Sequence, residues 1–174
     1  MRRGWWLIAA AGLVAAGGAG LYAYVVPGPG PDLPPPDFIA DQVVVDKSDR
    51  RLDLLANGQV MTSFPIALGR NPVGHKEREG DSRTPEGAYV LDWRNPKSRF
   101  YLSLHVSYPN AEDVARAKAA GVSPGGDIMI HGHSFGLPGL LPYDWTAGCI
   151  AVANADMDVI WAAVPDGTPI LIQP

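Results

Sequence analysis

Residues 27–36 read PGPGPDLPPP, and no regular element can pass through them. Each proline lacks an amide donor and fixes φ near −65°, so this density excludes helix and paired strand and favours an extended, semi-rigid spacer. The spacer divides the 174-residue chain into a short N-terminal piece and a domain-sized remainder, residues 37–174. Before it, Met1-Arg2-Arg3 precedes a stretch from Trp5 to Val26 without a charged residue. That length suits a hydrophobic helix crossing a bilayer, with the arginines on the cytoplasmic side. Residues 1–26 are therefore expected to be a signal anchor in the inner membrane. The small residues from Ala16 to Gly20 leave a cleaved signal peptide open, and a buried soluble helix is the third reading. Both export readings put residues 37–174 in the cell envelope, on the periplasmic side of the membrane.

The domain can build a core, because the chain is 47% hydrophobic. The whole chain carries a formal charge of −4; without Arg2, Arg3 and Asp32, 12 basic residues face 17 acidic ones. With no long basic run, nothing points to a nucleic-acid partner. Residues 42–46 and 51–56 read as two hairpin strands, and Asn57-Gly58 supplies a two-residue turn into a third, residues 59–68. Further strands are expected at 88–93, 100–105, 127–131, 149–153 and 168–172, with short helices at 111–120 and 156–164. The fold class is strand-dominated α+β. Between the third and fourth strands, residues 69–87 form a polar, glycine-rich loop containing GHKEREGDSRTPEG. Loops of that length in a compact domain are uncommon and often functional.

The only cysteine, Cys149, sits in DWTAGCIAVAN, residues 144–154. A free cysteine is often a small buried hydrophobe. Two features weigh toward chemistry. One thiol in an exported domain cannot form an intrachain disulfide, so it is sheltered or used. It also follows Gly148 at a loop-to-strand junction, where unpaired amides can stabilise an oxyanion. A thiol nucleophile needs a base, and His131 ends the preceding expected strand, so neighbouring strands would bring imidazole and sulfur together.

The other candidates divide less sharply. His131 and His133 are spaced for a shared face, which makes a metal site conceivable, but Gly132 and Ser134 end the strand and no HExxH helix is present. No metal or cofactor is expected. His133 reads as a rim residue, His105 as a strand residue beside the cleft or on the surface, and His75 as a solvated loop residue. Tyr143, Trp145 and Trp93 would wall a substrate groove or anchor the core. Arg83, in DSRTPEG, would grip a substrate carboxylate or lie on the surface.

Together, RLDLLANGQV, GDSRTPEGAY, IMIHG, DWTAGCIAV and VPDGTPILI resemble the L,D-transpeptidase catalytic domain (YkuD-like) over roughly residues 42–172. The signature is a histidine-glycine pair, a loop, and a Ser/Thr-x-Gly-Cys element. His131-Gly132 and Thr146-Ala147-Gly148-Cys149 fill it, with 18 positions from histidine to cysteine. The resemblance implies a β-rich fold with short helices and a cofactor-free acyl transfer on peptidoglycan stem peptides. It would make Cys149 the nucleophile and His131 the general base and acid. Gly132 would orient the imidazole through its carbonyl, and amides around Ala147, Gly148 and Cys149 would form the oxyanion hole. Thr146, with Arg83, His105, His133, Tyr143 and Trp145, would contact substrate. Many members carry histidine where this chain has Ala147, and a polar residue where it has Ala151. The acceptor therefore stays open between a stem-peptide amine, a protein lysine and water. A wall hydrolase and a non-catalytic wall-binding module are the alternatives.

Overall fold

Asn57 and Gly58 both adopt positive φ, 53° and 73°, the pair of left-handed conformations that a tight hairpin turn requires. The computed structural model describes residues 37–133 and 144–174; the segments expected at 1–26 and 27–36, and Tyr143, lie outside the described residues. In chain order the elements are β1 (Gln42–Asp46), β2 (Arg51–Ala56), β3 (Gln59–Pro65), β4 (Gly87–Ser98) and β5 (Tyr101–Val106). They continue with α1 (Ala111–Ala119), β6 (Met129–His131), β7 (Ile150–Ala151), α2 (Asn154–Ala163) and β8 (Thr168–Gln173).

The eight strands form one mixed sheet in the order β3-β2-β1-β8-β4-β5-β6-β7. β1 with β8 and β6 with β7 are parallel, and the other neighbours are antiparallel. The third strand stops at Pro65, short of the expected Leu68, because the chain changes partner there. Ala67 donates to Ala151 O at 2.9 Å and accepts from Ala151 N at 2.8 Å. The chain leaving one edge strand thus pairs with the opposite edge strand, and the sheet curls to bring the two together. β7 keeps only two of the five residues expected of it, since Ala153 already caps α2. Leu104, Ile130 and Ile150 pack with Met157 and Ile160 of α2 in the core. The alternating residues of β5, β6 and β7 therefore face the other way.

The polar loop contains no helix or named strand from residue 69 to 86, and gives way to β4 at Gly87, yet buried charges pin it. Lys47, 2% exposed, donates to Glu86 Oε1 at 2.7 Å, Gly74 O at 2.7 Å and Thr84 O at 3.1 Å. Burial pulls its ammonium below the ordinary lysine range, against the opposing pull of Glu86. Lys76 is equally enclosed and donates to Asp81 Oδ1 at 2.9 Å. Burial raises the Asp81 carboxyl, but Lys76 and the amides of Arg78, Arg83 and Glu77 outweigh it and hold the group at about 2. His75 is not solvated as expected: its Nδ1 accepts from Glu86 N at 3.0 Å and its Nε2 lies 3.0 Å from the buried Asp113 of α1. Replacing Lys47 with methionine would leave three acceptors without their donor. The partly exposed Glu86 can rehydrate, so the expected loss is about 2 kcal/mol, read from denaturant unfolding.

Candidate active site

Register places the histidine and the cysteine on one face. Ser103 pairs with His131 and His105 with Met129 across β5 and β6, while Ile130 pairs with Ile150 and His131 with Ala151 across β6 and β7. One residue back along that register, Cys149 stands opposite Met129. Strand spacing and rise then put the Cα atoms of His131 and Cys149 roughly 8 Å apart on the face turned from the core.

His131 is buried. Its Nδ1 hydrogen-bonds to the carbonyl oxygen of Gly132, which can only accept, so Nδ1 carries the proton and Nε2 is left as the basic atom. Phe100 stacks on the imidazole at 4.8 Å and Trp145 meets it edge-on at 5.7 Å. Burial lowers its pKa, the Gly132 carbonyl opposes that, and nearby His133 adds to the lowering. Gly132 admits no larger residue: a Cβ there would lie 2.3 Å from Asn154 Oδ1 and 3.1 Å from Phe100 O. Asn154 Oδ1 accepts from His133 N at 2.9 Å, so the first residue of α2 anchors the chain just beyond the histidine. Sequence reasoning missed Asn154 in this role, because the expected helix began at residue 156 and left Asn154 in the connection before it.

Cys149 is half-buried, and its thiol donates to Asp127 O at 3.6 Å. Burial raises its pKa; the Met129 amide lowers it, Asp127 raises it further, and Lys76 lowers it. Both shifts favour the uncharged forms, thiol and neutral imidazole.

Thr146 shapes the turn ahead of the cysteine. Its hydroxyl accepts from Gly148 N at 3.1 Å and donates to Cys149 O at 2.7 Å. This commits the hydroxyl to the backbone in place of the substrate contact expected of Thr146, and it withdraws the Gly148 amide from an oxyanion hole. Gly148 contributes through conformation instead, with φ at 133° and the Arg83 carbonyl 2.6 Å from where a Cβ would stand. Arg83 reaches the site through that carbonyl. Its guanidinium lies against His75 O and Glu77, each 3.3 Å away. Ala147 is exposed at the rim, and Ala151 is wholly buried. Asp144, unremarked in the sequence, starts the turn: its carboxylate accepts from Arg50 Nη2 at 2.7 Å and from Leu68 N at 2.8 Å. His133 is buried behind the site, and His105 stands on the same face, bonded to Asp92. Among the described residues, no group of three or more His, Cys, Asp or Glu side chains is placed to hold a metal ion.

The YkuD family profile, the L,D-transpeptidase catalytic domain, matches residues 40–172. The chain belongs to this family. YafK of Escherichia coli (strain K12), whose name places it with the L,D-transpeptidases, is 32% identical over 139 residues, 76% of this chain and 50% of YafK. Among solved structures, the helical cell shape determining protein Pgp2 of Campylobacter jejuni superposes with a TM-score of 0.61 at 28% identity, covering 79% of this chain and 48% of Pgp2. Bdellovibrio bacteriovorus Bd1075 gives 0.56 at 28% identity, over 78% of this chain and 48% of that one. An L,D-transpeptidase of Xylanimonas cellulosilytica, at 19% identity and a TM-score of 0.53 over 81% of this chain and 64% of that one, shares the fold. The chain spans about half the length of YafK and Pgp2. The strand-dominated, curled sheet with short helices is thus the family's catalytic-domain architecture.

Proposed function

We propose that this L,D-transpeptidase family member is an exported cysteine acyltransferase acting on peptidoglycan stem peptides. The observation that carries the reading is the placement of His131 and Cys149 on one sheet face, with the Gly132 carbonyl fixing the imidazole tautomer. As Cys149 sulfur attacks the donor carbonyl carbon, its proton passes to His131 Nε2. The developing oxyanion is held by the amides of Ala147 and Cys149, which have no acceptor among the described residues. His131 then gives the proton to the departing amine of the terminal residue, and a thioester remains. An acceptor amine attacks that carbonyl; the C–N bond forms, the C–S bond breaks, and His131 returns a proton to sulfur. The uncharged N-terminal stretch and proline spacer support placing this site outside the inner membrane, tethered to it.

A second reading, with water as acceptor, rests on Ala147, which offers no polar side chain at the exposed rim beside the cysteine. The name of Pgp2 ties that relative to cell shape, which either trimming or cross-linking of stems would serve. Incubating the purified protein with a tetrapeptide donor and weighing it intact tests the reading. The expected result is a mass increase equal to the donor less its terminal residue, together with cross-linked dimers. A folded protein with a titratable thiol and no adduct would overturn it; released amino acid without dimers would select hydrolysis.

A further inference from the structure

The β4–β5 ladder is interrupted beside this site. Leu91 pairs with Val106 and Arg94 with Leu104, so Asp92 and Trp93 together oppose the single residue His105. Such a β-bulge re-aims side chains that a regular strand would send to opposite faces. Here Asp92 Oδ1 lies 2.6 Å from His105 Nδ1, and the Trp93 ring stacks on the imidazole at 4.8 Å with the planes 16° apart. His105 pairs with Met129, the residue standing opposite Cys149, so the cluster is two strands from the sulfur on the same face, about 10 Å away. Trp93 is 42% exposed, as is the Asp92 side chain, while that of His105 is only 14% exposed. A hydrophobic ring and a carboxylate left in water beside an acyl-transfer site suit a cationic ligand.

We infer that Asp92, Trp93 and His105 form the acceptor subsite, which takes a primary ammonium group of the second stem peptide. This rests on the transpeptidase reading above and names its second substrate site. The Asp92 carboxylate pairs with the ammonium, and the exposed Trp93 ring surface adds cation–π attraction. Because Nδ1–H is donated to Asp92, His105 Nε2 is an acceptor and takes one proton from the ammonium. The free amine, no longer paired with Asp92, crosses the face to the Cys149 thioester and attacks its carbonyl; the C–N bond forms and the C–S bond breaks, the second proton passes through His131 to the departing sulfur, and His105 releases the first to solvent.

The test uses the full chain and its Asp92→Asn, His105→Gln and Trp93→Leu variants. Acylation by a tetrapeptide donor is followed by intact mass, and transfer to a stem tripeptide bearing a free side-chain amine is followed at increasing acceptor concentration. The expected result is unchanged acylation, with the acceptor KM raised roughly tenfold in Asp92→Asn and products shifted from dimer to hydrolysis. Wild-type acceptor dependence in all three variants would overturn the subsite, as would acylation falling in parallel with transfer, which would mark the bulge as structural only. Titrating the same tripeptide onto Cys149→Ala protein, with the Trp93 indole resonance as reporter, separates the two claims. Saturable binding that Asp92→Asn weakens supports the subsite even if no acylation is ever seen, and no shift at Trp93 overturns it even in an active enzyme.

Discussion

Cys149→Ser is expected to abolish thioester formation and lower turnover by roughly 10⁴-fold or more, as when the nucleophile of a hydrolytic triad is removed. The substitution changes one atom but not the base that must activate it. Burial lowers the pKa of His131, making it a weak base. It can accept a proton from a thiol, whose ordinary pKa is near 8.5, but a serine hydroxyl is far less acidic. The same lowering fixes the acid limb of the wild-type profile. His131 works as the neutral base, and its folded pKa lies below the usual value of about 6.5. Activity should therefore hold at neutral pH and fall as pH drops through that lowered value, while the stability from burying a neutral imidazole is lost earlier, as pH falls from the unfolded value of about 6.5 toward the folded one. Stopped assays by chromatography across pH 4 to 8, paired with intact mass, check both points (the pH window follows the ordinary histidine range). Equal turnover in Cys149→Ser, or a rate that rises toward acid, would remove the cysteine–histidine pair from the mechanism.

Strand alternation and turn chemistry made most of the fold legible. The β1 and β2 boundaries are as expected, and Asn57-Gly58 turns the chain as its sequence requires. What the pattern does not carry is long-range pairing. Ala67 and Ala151 look like apolar filler in their own segments, and only the curl of the sheet makes them a ladder. Arg50 and Asp144 are 94 positions apart, and nothing local marks them as partners. The buried cations of the polar loop were missed for the opposite reason: HKEREGD reads as a solvated run, whereas Lys76 and His75 turn inward to the carboxylates of Asp81 and Asp113. In the candidate site, His131 ends a strand and Cys149 directly precedes one, as alternation and glycine placement in the sequence led one to expect. The hydrogen bond that uses the Gly148 amide was not legible, because a threonine hydroxyl can serve backbone or substrate equally well until the turn is folded.

Gly148→Ala is expected to be strongly destabilising. At φ of 133° the backbone lies where side chains are rarely tolerated, and the new Cβ would stand 2.6 Å from the carbonyl oxygen of Arg83. Backbone strain of this kind carries about 1–3 kcal/mol, and forcing a methyl into a packed site a further 1–3 kcal/mol. The obstacle is main chain in a loop held by Lys47, Lys76 and Asp81, so it cannot move aside as a flexible side chain would. A loss of about 4 kcal/mol is a large part of the 5–15 kcal/mol that holds a typical domain together. Gly58→Ala supplies the control: its φ is 73°, with nothing within 4 Å of the added methyl, so it reports strain without collision. Thermal unfolding should show Gly148→Ala falling well below Gly58→Ala, and the remaining folded fraction should acylate slowly because Cys149 follows the displaced turn. Equal melting temperatures would mean that the polar loop does not brace the cysteine, and the part assigned to Lys47 and Lys76 would fall with that result.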